Sequence, residues 1–310
     1  MKYNISKEFF PFSHFKAPII NGKLLCHVGA WMRPPRSFFR DPDVYVKRDR
    51  IRSFDGRENE VFILEPRGLL SPAPCLVYYH GGGFIFGGSF HHYNVAREYA
   101  KRTPCKLIFA QYRLAPKHPH PTPSEDCYAA LRWVQENADA LGIDASKIAV
   151  GGDSAGGALT AAVCQMARDR GTALPLFQLL IYPVTDCRME TESNRIFTDT
   201  PMWNSKLSKK MWRAYLPDRT AKDIAYASPM LAEHFENLPT AYVETAEMDC
   251  LHDEALAYAA ALQNAGITAE INETKGTIHG FDAAMKAAAS REAVQKRIEF
   301  MQKRFGEDSL

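Results

Sequence analysis

The sequence lacks the features that mark membrane-inserted, secreted and nucleic-acid-binding proteins. None of its apolar runs approaches the roughly 18 residues that a membrane-spanning helix requires. Its 38 basic and 36 acidic residues leave a formal net charge of only +2, which gives no reason to expect nucleic acid or an anionic membrane as a partner. The aromatic N-terminus has neither the apolar stretch nor the small-residue cleavage site of a secretory signal. These absences predict a cytoplasmic protein with no membrane span.

Paired cysteines are missing as well. The seven cysteines are scattered singly, without a Cys-x-x-Cys pair or the spacing of a metal site. An odd number argues against a disulfide framework and favours a reducing compartment. The sequence contains no internal repeat and no low-complexity segment. With 46% apolar residues among 310, it is long enough for one large domain with an appendage, or for two small domains.

From about residue 44, short apolar runs alternate with helix-like stretches. The first two runs, Val44–Arg50 and Glu60–Leu64, have the period of half-exposed antiparallel strands. The later runs do not alternate, which is typical of strands covered on both faces. Strand, helix and strand in repetition predict right-handed crossovers and a mostly parallel sheet. The later strand-like runs cover 76–79, 106–111, 148–151, 176–182, 241–245 and 269–273, and the helix-like stretches cover 92–101, 124–137, 155–170, 253–264 and about 283–305.

Two segments interrupt this regular pattern. Residues 1–43 are rich in Phe, Pro and Arg without clear periodicity, and residues 186–228 carry two tryptophans. Because so long an excursion exceeds a plain connection in a compact α/β domain, we expect both segments to form a cap over one end of the sheet. The core would then comprise residues 44–185 and 229–310. The alternative interpretation is a pair of surface extensions with no bearing on activity.

A serine lies at a predicted junction between strand and helix. Ile148–Val150 leads into Gly151-Gly152-Asp153-Ser154-Ala155-Gly156-Gly157, and a helical pattern follows at once. In Gly152-x-Ser154-x-Gly156 the glycines would relieve crowding around a strained, sharp turn. The turn would also place the serine oxygen at a helix N-terminus, where the dipole favours developing negative charge. The alternatives are a glycine-rich turn that only begins a helix, and a phosphate loop, which is disfavoured because no Gly-Lys-Ser/Thr follows.

Three consecutive glycines follow another predicted strand. The stretch His80-Gly81-Gly82-Gly83-Phe84 comes directly after the apolar run Cys75–Tyr79. A serine nucleophile creates a tetrahedral oxyanion, and backbone N–H groups are its usual hydrogen-bond donors. Glycines here would let the backbone approach a reacting carbonyl and aim its amides at it, with the N–H of Ala155 as a further donor. The alternative is a flexible loop without function.

With these two motifs in place, the sequence resembles the hormone-sensitive-lipase-like esterases of the α/β-hydrolase superfamily. The resemblance implies an α/β-hydrolase fold, in which a mostly parallel eight-stranded sheet is flanked by helices and carries a helical cap. It also implies an esterase for short acyl chains that needs no cofactor and no metal, with the amides of Gly82 and Gly83 in the oxyanion hole. The matching blocks appear in the family's order over about residues 44–305 and are HGGGF at 80–84, YRLAP at 112–116, GDSAGG at 152–157, Asp249-x-Leu251-x-Asp253-Glu254 and HGF at 279–281.

Two positions depart from the family pattern. The block that usually reads Ala-Pro-Glu ends in Lys117, and the usual Asp-Pro-Leu has Cys250 at its centre. Neither change removes a group that would react. We expect Lys117 to be a solvated surface residue and Cys250 to be a small buried side chain, with a redox-sensitive thiol as the alternative.

A serine nucleophile needs a base, and ten histidines compete for that role. The chain order in this fold is serine, acid and histidine, so the base should follow Ser154. His279 follows the last predicted strand in a glycine-flanked loop, which would bring its imidazole to the sheet edge beside the serine. His234 belongs to the insertion region, and His252 begins a predicted helix. His80, which precedes the serine, is expected to position the three-glycine stretch.

The acid should be a carboxylate at the edge of the sheet. Asp249 lies at the end of the predicted strand Ala241–Ala246 and is expected to orient His279, with Glu247 as the runner-up. Asp253 lies on the following helix, where we expect a helix N-cap or a salt bridge to the cap. Asp153, inside the serine turn itself, is too close in sequence to reach the imidazole and is expected to make structural hydrogen bonds.

The sequence therefore predicts a serine carboxylesterase with Ser154, His279 and Asp249 as its catalytic triad and a small-molecule acyl ester as its substrate. An amidase or peptidase is the second hypothesis, because the same three groups could serve it. A small-molecule receptor is the third, and the presence of all three groups argues against it. A homodimer is left open, since the strand at 269–273 is a candidate for an exposed sheet edge.

Overall fold

The computed structural model describes residues 2–12 and 34–307, and these build one eight-stranded sheet. Its strands are Val44–Arg52 (β1), Glu58–Pro66 (β2), Ala73–Tyr79 (β3), Lys106–Ala110 (β4), Ile143–Asp153 (β5), Phe177–Ile181 (β6), Thr240–Ala246 (β7) and Ala269–Thr274 (β8). They lie in the order β1-β2-β4-β3-β5-β6-β7-β8. β2 is antiparallel to both of its neighbours, and every other neighbouring pair is parallel. The prediction of a mostly parallel sheet is confirmed.

The helices of the described residues fall largely where the periodicity predicts them. They are Phe90–Arg102 (α1), Thr122–Glu136 (α2), Ala155–Asp169 (α3), Glu192–Ile196 (α4), Ser205–Tyr215 (α5), His252–Asn264 (α6) and Ala288–Gly306 (α7). The last helix begins later than expected, because Phe281–Ala283 forms a separate 3-10 turn after Gly280, whose φ is +67°. None of the helices in this part of the chain has the length and apolarity that crossing a membrane requires.

The inner strands are covered on both faces, as their unbroken apolar runs predict. Along β3, Cys75, Val77 and Tyr79 pack into one hydrophobic cluster, while Leu76 and Tyr78 pack into the cluster on the opposite face. Burial of both faces explains why these strands show no alternation of polar and apolar residues.

The direction of the strands brings distant parts of the sequence to one edge of the sheet. β5, β6, β7 and β8 are parallel neighbours, so their carboxyl ends lie side by side. Ser154 directly follows β5, Asp249 lies in the turn after β7, and His279 lies in the loop after β8. Ligand sites of open α/β sheets lie at this edge.

The N-terminal segment is described in two short pieces, and residues 13–33 lie outside the described part of the chain. The two pieces contain the 3-10 helices Lys7–Phe12 and Arg36–Arg40. The backbone N–H of Ser6 donates to the carbonyl oxygen of Gly276 at 2.8 Å. The first piece therefore lies against the loop that follows β8.

The long insertion, residues 186–228, contains α4 and α5, which the sequence pattern did not predict. α5 is held by its apolar side, where Met211, Trp212 and Tyr215 are fully buried. The ring of Tyr215 stacks face to face on Phe84 of the three-glycine stretch, with the ring centroids 3.7 Å apart. α5 thus covers the loop that follows β3, and the assignment of the insertion as a cap stays a prediction.

A buried ionic cluster, formed by Arg297, Glu244 and Asp282, lies within the core. Arg297 on α7 donates through Nε to Glu244 Oε2 on β7 at 3.0 Å and through Nη1 to Asp282 Oδ2 at 2.6 Å. The hydroxyl of Tyr182 donates to Asp282 at 2.7 Å. Burial raises the pKa of Asp282, but the charges of His91 and Arg297 outweigh burial and hold that pKa well below its usual range. The guanidinium therefore offsets the cost of removing two carboxylates from water.

Removing the cation from this cluster should cost stability. Arg297→Met leaves Glu244 and Asp282 buried without the guanidinium, and we expect the free energy of unfolding in urea to fall by about 3–5 kcal/mol. Arg50→Met is the matched control, because Arg50 pairs with Glu58 at the surface, where an ion pair contributes about 0–1 kcal/mol. Equal losses of stability in the two variants would show that the buried cluster is not structural.

Candidate active site

Ser154 occupies a sharp turn between β5 and α3. Its φ of 54° and ψ of −117° lie outside the regions that residues with a side chain ordinarily adopt. Its N–H donates to the carbonyl oxygen of Ile181 at 2.8 Å, and its own carbonyl accepts from the N–H of Val184 at 3.1 Å. The strained turn is therefore held in place by β6 and the residues that follow it.

Glycine is required on both sides of the serine because backbone atoms come too close for a side chain. A Cβ atom at Gly156 would lie 1.9 Å from the carbonyl oxygen of Tyr79, and one at Gly152 would lie 2.4 Å from the carbonyl oxygen of Gly156. Real Cβ atoms essentially never approach other atoms within 3.0 Å. Since both obstacles are backbone oxygens, no side-chain rotation relieves the clash.

The side chains of Ser154, His279 and Asp249 form a chain of hydrogen bonds. His279 Nε2 lies 2.9 Å from Ser154 Oγ, and His279 Nδ1 lies 2.6 Å from Asp249 Oδ2. The other carboxylate oxygen of Asp249 accepts the N–H of Leu251 at 3.1 Å. Because an ionised carboxylate only accepts, Nδ1 carries the imidazole proton and Nε2 is left to accept the serine hydroxyl. The structure thus joins three side chains that are far apart in the sequence.

The other candidate acids have different partners. Glu247 accepts the N–H of Gly276 at 2.7 Å and so braces the loop before His279. Asp253 lies in the first turn of α6, where it accepts the N–H of Ser193 on α4 at 2.8 Å. Of the two expectations for Asp253, the helix N-cap is wrong, because α6 begins one residue earlier and Leu251 occupies that position. The other, a salt bridge to the insertion, is replaced by this hydrogen bond from the backbone of Ser193.

The other candidate histidines are also accounted for. His80 is fully buried, its Nδ1–H donates to the carbonyl oxygen of Gly81 at 2.7 Å, and its ring stacks on Tyr112 at 4.4 Å. Burial lowers the pKa of His80 to about 4, so the ring is neutral. Its hydrogen bond to Gly81 holds the backbone of the three-glycine stretch. His234 is exposed, and His252 begins α6 and pairs with two carboxylates there.

The loop between β3 and α1, residues 80–89, is called the glycine loop here. Gly82 and Gly83 have φ angles of +113° and +60°, which glycine adopts without steric cost. Within the described residues, neither of their N–H groups has a hydrogen-bond partner, although the carbonyl of Gly82 accepts from Ile85 and Phe86. Ala155 is the first residue of α3, so its N–H has no intrahelical partner. All three amides lie at the ends of the paired strands β3 and β5 and are free to donate.

Asp153 makes structural hydrogen bonds between these two strand ends. Its carboxylate accepts the hydroxyl of Tyr78 at 2.6 Å and the N–H of Gly81 at 3.0 Å, and it lies 3.0 Å from Nε2 of His92. Burial raises the pKa of Asp153, but the close contact with His92 and the hydrogen bond from Tyr78 outweigh burial and lower that pKa to about 2. Asp153 is therefore ionised at neutral pH.

Little open space surrounds the serine. Ser154 is 4% exposed and His279 is 7% exposed. A Cβ atom at Gly83 would lie 2.7 Å from the ring of Trp203 and 3.5 Å from Met211, so these two side chains press against the glycine loop. Trp203 also lies near His279, with the ring centroids 6.1 Å apart. A cavity of about 600 Å³ between α1 and α7 is lined by none of the three triad residues.

Three buried residues that are linked to one another behind His279 were not predicted from the sequence. The ring of Tyr182 stands edge-on to the imidazole of His279, with centroids 4.8 Å apart, and its hydroxyl binds Asp282. Asp282 in turn binds Arg297. The closeness of Asp282 to His279 in the sequence is a signal that could have marked it. Arg297 offers no such signal, because an arginine on a terminal helix is usually a surface residue.

Neither of the two departures from the family motifs is one of the three triad side chains. Lys117 is exposed. Cys250 is fully buried, with its Sγ atom 3.6 Å from Ser208 Oγ. Burial raises the pKa of the Cys250 thiol well above its usual value, which disfavours the reactive thiolate.

Known proteins resemble this chain over most of its length. The family described as alpha/beta hydrolase fold matches residues 76–283. The carboxylesterase NlhH of Mycobacterium tuberculosis is 36% identical over 262 residues, which cover 83% of this chain and 82% of that protein. The ethyl acetate hydrolase of Pseudomonas putida is 35% identical over 208 residues, which cover 67% of this chain and 65% of that protein.

Solved structures of esterases also resemble this fold. The structure of a bacterial heroin esterase is 34% identical and matches with a TM-score of 0.83, covering 91% of this chain and 90% of that one. The esterase LipW from Mycobacterium marinum is 31% identical and matches with a TM-score of 0.85, covering 93% and 92% of the two chains. The chain therefore belongs to the α/β-hydrolase fold family, among the hormone-sensitive-lipase-like carboxylesterases, and is a carboxylic ester hydrolase.

Proposed function

We propose that this chain is a serine esterase that hydrolyses short-chain acyl esters through an acyl-enzyme intermediate on Ser154. The observation that carries the proposal is the hydrogen-bonded chain from Asp249 through His279 to Ser154, with distances of 2.6 and 2.9 Å. The backbone amides of Gly82, Gly83 and Ala155, which make no hydrogen bond within the described residues, support the proposal. This arrangement supplies a nucleophile, a base with its orienting carboxylate, and an oxyanion site together.

Acylation begins when Ser154 Oγ attacks the carbonyl carbon of the ester. Its proton passes to His279 Nε2, 2.9 Å away, while Asp249 keeps Nδ1 protonated and stabilises the imidazolium. His279 then returns the proton to the departing alkoxide oxygen, the ester C–O bond breaks, and the acyl group stays on Ser154. In deacylation His279 takes a proton from water as the water oxygen attacks the acyl carbon. His279 then returns the proton to Ser154 Oγ, the bond between Oγ and the acyl carbon breaks, and the carboxylic acid is released.

The oxyanion of each tetrahedral intermediate is stabilised by the backbone. The N–H groups of Gly82, Gly83 and Ala155 are the proposed donors. Removing one such donor from an oxyanion hole typically costs about 3–4 kcal/mol of transition-state stabilisation. Ala155 also begins the 15-residue helix α3, whose dipole favours negative charge at this end.

The proposed preference for short acyl chains rests on the side chains that close the site. Trp203 and Met211 lie against Gly83, and Trp203 is also near His279. The indole N–H of Trp203 donates to Ser208 Oγ at 2.9 Å, which fixes the ring in this place. A long acyl chain would have to displace this ring. The name of one relative, an ethyl acetate hydrolase, supports a small ester as substrate.

Replacement of the nucleophile should remove turnover without unfolding the protein. We expect Ser154→Ala to lower kcat for p-nitrophenyl butyrate by at least about 10⁴-fold, with an unchanged urea midpoint, because no other group can form the acyl-enzyme. Ser146→Ala is the matched control, since Ser146 is an exposed serine on the same strand. Turnover of the matched p-nitroanilide as fast as the ester would instead establish an amidase, and tight binding without turnover would establish a receptor.

The size of the acyl site should depend on Trp203. We expect kcat/KM of the wild type to be highest for p-nitrophenyl acetate or butyrate, and Trp203→Ala to raise kcat/KM for the octanoate by about tenfold, because methylenes gain space that the indole occupied. Phe54→Ala, at an aromatic that is 54% exposed, is the control. A wild-type optimum at octanoate, or the same chain-length profile in Trp203→Ala, would refute the short-chain assignment.

A further inference from the structure

A single buried carboxylate, Asp153, holds both ends of the glycine loop. At the first end, the N–H of Gly81 donates to Asp153 Oδ1 at 3.0 Å. Beyond the other end, Nε2 of His92 in the first turn of α1 lies 3.0 Å from Asp153 Oδ2. The hydroxyl of Tyr78 donates to Oδ1 at 2.6 Å. Because Asp153 precedes Ser154 directly in the chain, these bonds tie the loop to the proposed nucleophile.

The hydrogen bonds of His92 determine which of its nitrogens carries the proton. The backbone N–H of Ser89 donates to Nδ1 at 2.8 Å, so Nδ1 is an acceptor and the proton of the neutral ring is on Nε2. Nε2–H therefore donates to Asp153. His92 is 8% exposed and Asp153 is 5% exposed, so neither group has water as a ready substitute. If His92 were replaced by a residue that cannot donate, the buried carboxylate of Asp153 would lose one of its hydrogen bonds, which is energetically costly.

The position of Asp153 decides where the glycine loop lies. Gly82 and Gly83, the proposed oxyanion donors, follow Gly81 directly and have no side chains to anchor them. Glycine rotates freely, so the direction of their N–H groups depends on how the ends of the loop are held. A Cβ atom at Gly81 would lie 2.1 Å from Asp153 Oδ2, which shows how closely the carboxylate packs on the loop. A displaced Asp153 would carry the loop with it.

We propose that His92 is a positioning residue for the esterase reaction. Acting through Asp153, it keeps the Gly82 and Gly83 amides where the oxyanion forms. The inference rests on the proposed function of Ser154, and it extends that function to a residue that touches neither substrate nor triad. The neighbouring histidines have other partners. Nδ1–H of His80 donates to the carbonyl oxygen of Gly81, and Nε2 of His91 lies 3.2 Å from Asp282 Oδ1.

His92 also begins α1, and this second role must be separated from the first. Its side chain accepts the N–H of Ser89, while the Ser89 side chain accepts the N–H of His92, which forms a capping box. The two roles use opposite nitrogens of the ring. Nδ1 serves the start of the helix, and Nε2 serves Asp153. Two amide side chains of different length can therefore keep one role and remove the other.

The test compares His92→Asn with His92→Gln. The Asn amide can accept from Ser89 but is too short to reach Asp153, whereas the Gln amide can donate to Asp153. With p-nitrophenyl butyrate we expect His92→Asn to lower kcat by about 10–100-fold with KM changed less than about threefold, because the oxyanion exists only after binding. The kcat of His92→Gln should be at least about tenfold higher than that of His92→Asn. The Ki of a trifluoromethyl ketone analogue of the substrate, which forms a tetrahedral oxyanion, should rise in proportion to the loss of kcat.

The outcomes distinguish this inference from its premise. The first step is to show that the wild type turns over the ester and that Ser154→Ala does not. If that step fails, the proposed function itself is wrong, and the role of His92 is not in question. If His92→Asn is folded and as active as His92→Gln, the role of His92 is only to begin α1 and the inference is overturned. Tyr78→Phe removes another donor from Asp153 and leaves the capping box at the start of α1 unchanged, and it should also lower kcat at constant KM. Unchanged kcat in Tyr78→Phe would overturn the inference even if His92→Asn does not fold. His234→Gln, at an exposed histidine, is the control.

Discussion

The close approach of β3 and β5 at the serine turn is the constraint on which the rest of the site depends. The carbonyl oxygen of Tyr79 lies 1.9 Å from where a side chain at Gly156 would begin. Only glycine fits at positions 152 and 156, and Ser154 adopts a positive φ of 54°. This turn fixes the serine oxygen and the Ala155 amide before any other part of the site is added. The loops after β7 and β8 then have only to bring a carboxylate and an imidazole to that place.

Buried carboxylates hold the loops around the site through hydrogen bonds. Asp249 orients His279, Asp153 holds the glycine loop, and Asp282 joins Tyr182 to Arg297. Each carboxylate is buried and meets several donors, which makes its position specific because an unpaired buried charge is costly. A loop held by hydrogen bonds has a narrower range of positions than one held by apolar packing, and catalysis by fixed amides requires that narrow range.

The sequence predicted the parts of the fold that one physical rule determines locally. Strands such as Leu76–Tyr79 must be apolar on both faces, and the serine turn must have glycines, so both are visible in the pattern. α5 is amphipathic, with Met211, Trp212 and Tyr215 on its buried side, but the whole insertion was assigned to a cap without being divided into elements. α4 has only five residues, too few to show a helical period. Arg297 could not be predicted, since nothing in its local sequence distinguishes a buried arginine from an exposed one. Of the two roles expected for Asp253, the helix N-cap failed because α6 begins one residue earlier than the pattern indicates, and the carboxylate contacts α4 instead.

The central claim is that Ser154 is the nucleophile and that His279 activates it. The most direct measurement is the reaction with a p-nitrophenyl phosphonate, followed by intact mass and peptide mapping, in the wild type and in His279→Gln. We predict one phosphonyl group per chain, on Ser154, with a stoichiometric burst of p-nitrophenol that is at least about 100-fold slower in His279→Gln. Labelling at another residue, or labelling of Ser154 at an unchanged rate without the imidazole, would contradict the account.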